Sequence, residues 1–152
     1  MKYIKNILVL LLTLSFSISV FASKSTTNDA KTVFNLVNSY RVKHGLTPFK
    51  YNEALAQIAA EHSREMADRS VPFGHTGFRN RTRQASRAVA HPRAFSENVA
   101  YTDLDVTKVM NLWIESPAHR RSMLGNFNTS GIGVAYDRNG RVYATQIFLL
   151  SS

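Results

Sequence analysis

The chain has 152 residues, no cysteine and a formal net charge of +9. This length suits one domain with a core large enough to stand without cross-links, and the missing cysteines exclude disulfides, thiolate metal sites and lipid attachment at an N-terminal Cys. A basic balance draws a protein toward anionic polymers and headgroups, which governs encounter rather than activity.

Lys2 and Lys5 precede a largely apolar stretch, Ile7 to Phe21, diluted by Ser15, Ser17 and Ser19; Val20-Phe21-Ala22 then offers a small-residue cleavage site. Residues 1–22 read as a secretory signal peptide rather than a membrane span, because the Leu-rich core is short. Its removal leaves 130 residues with a charge of +7. The mature product is expected in a periplasm or outside the cell, with no later segment of membrane-spanning length. Residues 23–28 read as a polar tail and 29–152 as a single domain.

From Asp29 the pattern is helical, with Val33, Phe34, Leu36, Val37 and Tyr40 on one broad face and Gly45 as the stop. Thr47-Pro48 breaks the chain before Asn52, a good N-cap for a second helix from Glu53 to about Arg69. Its apolar stripe, Leu55, Ile58, Ala59 and Met66, includes His62, which reads as a satisfied core residue. His44 falls at a helix C-terminus, where positive charge is favourable.

Val71 to Phe78 is a loop punctuated by Gly and Pro. The following stretch carries Arg79, Arg81, Arg83, Arg87 and Arg93, with no acid between Asp68 and Glu97. It reads as a solvated helix face or a loop over a cleft, or alternatively as a docking patch for an anionic polymer or lipid. Few aromatics interleave it, which argues against sequence-specific nucleic-acid binding. His91, beside Pro92, reads as exposed.

Phe95 to Tyr101 reads as a short buried extended segment. Asp103 or Asp105 caps a third helix with Val106, Val109, Met110 and Trp113 inward. Ser116-Pro117 forms an N-cap and N1 pair opening a short helix that contains His119 and ends at Gly125. Ser116 reads as this cap and not as a hydrolase nucleophile, since the chain has no Gly-x-Ser-x-Gly elbow. At the C-terminus, alternating Ile132, Val134 and Tyr136, the turn Asp137-Arg138-Asn139-Gly140 and a strand from Val142 to Leu149 spell an antiparallel hairpin. Helices first and a hairpin last imply an α+β domain.

Four segments then occur in the order seen in the CAP superfamily, the SCP domain of cysteine-rich secretory and pathogenesis-related proteins. They are Phe73-Gly74-His75, the run Glu97 to Tyr101, Trp113-x-x-Ser116-Pro117-x-His119-Arg120, and Gly131-Ile132-Gly133-Val134-Ala135. Leu36-Val37-Asn38-x-x-Arg41 also resembles its opening helix, so the likeness spans about residues 30 to 148, with the bacterial exported branch as the nearest type. It implies a three-layer α-β-α sandwich with a central cleft lined by two histidines and two acids, which in some members holds zinc or another divalent cation. His75 and His119 map onto the histidines and Glu97 onto the first acid. The second acid's position is held here by Ser116, with Glu115 one residue earlier. Two imidazoles and one carboxylate leave coordination positions open, implying a weak, exchangeable cation and no required cofactor.

The reading that results is an exported, non-enzymatic binder of a lipid, small amphiphile or envelope component. The alternatives are an interaction protein that meets an anionic envelope or host surface through its basic face, and a metal-assisted hydrolase in which Glu97 activates water.

Overall fold

The computed structural model describes residues 16–103 and 105–152, with side chains from residue 26 onward. Most of the expected signal peptide, residues 1–15, lies outside the described residues. Among those described, no helix is long and apolar enough to cross a membrane.

Helix α1 spans Phe16–Lys43. It begins well before Asp29 and runs through residues 23–28, expected as a tail. No Gly or Pro interrupts residues 16 to 44, so nothing in the backbone stops the helix from extending backward. Gly45 ends it in the left-handed region, φ 73°. A two-residue strand β1 (Lys50–Tyr51) leads to α2 (Glu53–Ala67), whose first turn is capped by Asn52 Oδ1 accepting from Leu55 N at 3.0 Å. Then come α3 (Phe78–Ala88), the long strand β2 (Pro92–Thr102), α4 (Lys108–Glu115), α5 (Pro117–Met123), β3 (Thr129–Tyr136) and β4 (Val142–Ser151).

The sheet order is β1-β3-β4-β2. The expected antiparallel hairpin is β3–β4, and β2 joins β4 antiparallel with Glu97 opposite Ile147. The β1–β3 pairing is parallel, which the sequence reading did not include: two residues after Pro48 carry too little periodicity to reveal a strand. In β2 the extended segment also starts earlier than expected, at Pro92.

Both faces of the sheet are covered, giving the three layers the resemblance implies. On one face Val33, Val37, Val109, Trp113 and Met123 pack with Ile132, Val134 and Phe148; on the other, Leu55 and Ala59 of α2 meet Ile147 and Leu149. Trp113 is fully buried, as its stripe position predicts. Alternation along β2 therefore sends Glu97, Val99 and Tyr101 toward α2 and α3, and Asn98 and Ala100 toward α4 and α5.

Two glycines set how closely α2 approaches. A Cβ at Gly131 would lie 2.2 Å from Ala56 N, and one at Gly133 would lie 2.0 Å from Ala60 N. Only bare backbone admits this contact. On the opposite side, Arg41 is buried and donates to Met123 O at 2.7 Å and Thr47 O at 2.9 Å while stacking on Phe49. Asn38 bonds both N and O of Phe49. This is the physical work of the Asn38-x-x-Arg41 spacing: one helix face ties down two loops.

Candidate functional site

Strand β2 is an edge of the sheet, and the predicted site residues gather on its two sides. On the α2/α3 side Glu97 is buried, and both its oxygens accept from Arg81: Nε to Oε2 at 2.6 Å and Nη2 to Oε1 at 2.7 Å. A third bond comes from His75 Nδ1 to Oε1, 2.9 Å. Arg81 is itself buried, and its Nη1 donates to Thr76 O at 2.8 Å and to His62 Nδ1 at 3.1 Å. Because His62 Nδ1 accepts, its Nε2 carries the proton and donates to Gly74 O at 2.8 Å. One guanidinium thus joins α2, the loop after it, α3 and β2.

One expectation changes here and one gains a partner. Arg81 does not belong to an exposed basic patch; it is the buried counter-ion of Glu97. Helical geometry explains the split, since Arg79, Arg83 and Arg87 recur at i, i+4 and i+8 on the outer face of α3 while Arg81 points inward with Ala85. Arg79, Arg83, Arg87 and Arg93 are exposed. Secondly, His62 is a satisfied core residue, as its stripe implied, yet its partner is the arginine that grips Glu97. No local signal in the sequence reveals that pairing. The one clue was an arginine midway between outward-facing arginines.

On the other side of β2, Ser116 opens α5 as its N-cap, accepting from His119 N at 3.5 Å. Asn98 donates through Nδ2 to His119 O at 3.0 Å, fixing α5 to the strand. Here satisfaction is incomplete: Asn98 Oδ1 and His119 Nδ1 are buried without a hydrogen-bond partner. Burial, and next the charge of His75, hold the His119 pKa below its ordinary 6.5, so the ring is neutral at neutral pH. Glu115 is exposed at the end of α4 and makes no ion pair among the described residues.

A cation fits this donor set poorly. No group of three His, Cys, Asp or Glu side chains among the described residues is arranged to hold one. Glu97 is saturated by a guanidinium and an imidazole, and a metal ion beside it would face the charge of Arg81. That leaves two imidazoles, fewer than the three or four protein ligands of a zinc site.

The comparisons agree with this architecture. A family profile described as the cysteine-rich secretory protein family, CAP, matches residues 34–148. The chain is 30% identical over 128 residues to the uncharacterized membrane protein YlbC of Bacillus subtilis (strain 168), covering 83% of this chain and 36% of that protein. Among solved structures it resembles an extracellular SCP-domain protein of Bacillus anthracis str. Ames (TM-score 0.74, 23% identity, 86% of this chain and 43% of that one). It also resembles a cysteine-rich secretory protein of Staphylococcus aureus subsp. aureus Mu50 (TM-score 0.64, 26% identity, 82% of this chain and 39% of that one). The chain thus spans less than half the length of these relatives. It belongs to the CAP family of cysteine-rich secretory proteins.

Proposed function

We propose that this chain is an exported, non-enzymatic binding protein whose cleft beside β2 takes the polar head of a lipid, small amphiphile or envelope component. The observation that carries this reading is the pair of buried atoms Asn98 Oδ1 and His119 Nδ1, which have no protein partner. Native proteins rarely leave such groups unmatched. Unlike Trp113 Nε1 and Gln146 Oε1, which are unmatched inside the core, the His119 atom lies on a part-exposed residue, and a hydroxyl or amide that enters as this ring turns supplies the missing bonds. Glu97 supports it from the other side. A general base needs a lone pair aimed at substrate, and this carboxylate is committed to Arg81 and His75. Export rests on residues 1–22 and on a relative described as extracellular.

Native mass spectrometry of the protein from its own cells tests this. Co-purified amphiphile is expected in the wild type and is lost in His119→Ala at unchanged fold. Ester turnover that disappears in His75→Ala would replace the reading with hydrolysis.

A second reading has its own observation. Arg79, Arg83, Arg87 and Arg93 are exposed, and no acid lies between Asp68 and Glu97 to neutralise them. Like charges at i, i+4 oppose the helix slightly, so the stripe is better matched to an anionic surface than to stability. Binding to phosphatidylglycerol vesicles that falls steeply with salt and with Arg79→Gln/Arg83→Gln/Arg87→Gln supports it; salt-insensitive binding rejects it.

A further inference from the structure

Among the described residues two arginines are buried, Arg41 and Arg81, and only one of them meets a carboxylate. Arg81 grips Glu97 at two points. The bonds from Arg41 end instead on backbone carbonyls: Nε on Thr47 O at 2.9 Å, Nη1 on Met123 O at 2.7 Å and Gly125 O at 3.0 Å, and Nη2 on Phe127 O at 3.5 Å. A guanidinium has five N–H groups, so one at Nη2 is uncommitted, and the Nη2 bond that does form is at the limit of hydrogen-bonding distance. Burial lowers the Arg41 pKa, with no carboxylate acting against it. Carbonyl dipoles spread such a charge without neutralising it, whereas buried charges are ordinarily paired.

Arg41 lines a pocket of about 440 Å³ between the loop after α1 and the loop after α5. Strand pairing sets these loops side by side: Lys50 N donates to Asn128 O at 2.9 Å, and Lys50 then partners Thr129 in the parallel ladder. Leu46, Pro48, Leu124 and Phe127 supply apolar walls, and the exposed Lys50 adds a second cation. No Asp or Glu lines the space. Its volume falls within the range of small-ligand sites.

We infer that this pocket binds a carboxylate carried on a compact apolar group. Two cations without an acid choose an anion. Four apolar walls choose an anion with an apolar body over an inorganic ion. The uncommitted N–H of Arg41 and the Lys50 ammonium offer donors to both oxygens of a carboxylate, whereas a phosphate dianion asks for more. The pocket is open to solvent on one side, so it covers a short branched or aromatic body and would leave a long alkyl chain in water. Such a group has two sources: the C-terminus of a polypeptide that ends in an apolar residue, and a free branched-chain acid. This site shares no residue with the cleft beside β2.

The test is titration of isotope-labelled protein with N-acetyl-leucine, 4-methylpentanoate and the neutral N-acetyl-leucinamide, followed by amide chemical shifts. Saturable shifts are expected in residues 46–50 and 124–128 with the two carboxylates and not with the amide. Tighter binding of N-acetyl-leucine assigns the site to a polypeptide C-terminus; binding no tighter than that of 4-methylpentanoate assigns it to a free acid. Replacing Arg41 would mix binding with folding, because Arg41 ties two loops, so the exposed Lys50 is changed instead. Lys50→Glu is expected to weaken binding about tenfold, since it removes an attraction and adds a repulsion of similar size. Lys50→Arg retains binding, and His119→Gln leaves it unchanged, which keeps this outcome distinct from that of the cleft. Equal shifts with the amide or with inorganic phosphate overturn the inference. So does the absence of shifts with both carboxylates, or wild-type affinity in Lys50→Glu.

Discussion

The two sides of strand β2 solve opposite problems with neighbouring residues. Glu97 is buried and fully matched, locked by Arg81 and steadied by His75. One residue later Asn98 is equally buried, yet its carbonyl oxygen has no partner, and neither does Nδ1 of His119 on the helix that Asn98 holds. A carboxylate that already accepts three hydrogen bonds, two of them from a buried guanidinium, is scaffold, because a ligand drawing on it competes with that ion pair. An unmatched amide and imidazole are where a ligand changes the free energy at least cost. Titratable side chains gathered around one strand are therefore not equivalent, and the hydrogen-bond inventory decides which of them can act.

Breaking the first side is expected to have the largest effect. Arg81→Ala or Glu97→Gln leaves the partner charge buried and alone, lowering stability by about 3–5 kcal/mol in urea denaturation. The double variant Arg81→Met/Glu97→Leu recovers most of that loss, since an apolar pair of similar volume removes both desolvation penalties; a double variant as unstable as either single one would mean that the network holds more than the ion pair. Next in size, His75→Ala removes one bond from a half-exposed ring and is expected to cost about 1 kcal/mol.

The second side should respond differently. His119→Gln is expected to change stability by less than about 0.5 kcal/mol, because the lost ring atom had no partner to strand, while ligand capture falls. A large destabilisation would erase the contrast between the two sides. The smallest effect is on pH. His119 has a folded pKa lowered from 6.5, so the unfolded chain takes up a proton that the folded chain resists. Stability is thus level above about pH 6.5 and declines as pH falls below it, a slope that urea midpoints measured with and without His119→Gln would separate.

Much of this is legible in the sequence alone. The helical stripe in α2, the Ser116-Pro117 cap and the hairpin turn at Asp137–Gly140 are local patterns, and each forms as its residues dictate; α4 keeps Val109, Met110 and Trp113 inward but starts at Lys108, after Val106, with Thr107 rather than Asp103 or Asp105 at its N-cap. His75 and Glu97 meet on one side of β2, and His119 is held by Asn98 on the other. Arg81 was misassigned because its role is wholly tertiary: sequence shows five arginines in a basic run, and only the α3 phase relative to β2 selects the one that turns inward. The start of α1 and the parallel strand β1 were missed for a related reason. Weakly patterned segments take their structure from neighbours rather than from their own periodicity.

Gly131 and Gly133 carry a consequence for anyone rebuilding this scaffold. With α2 resting on naked main chain at both positions, even a single methyl group there would push the helix off the sheet, taking His62 with it. Arg81 would then lose one of its anchors, although the atoms nearest either glycine all belong to α2. That Gly-x-Gly step should be kept constant, since it calibrates the depth at which the whole buried charge network sits.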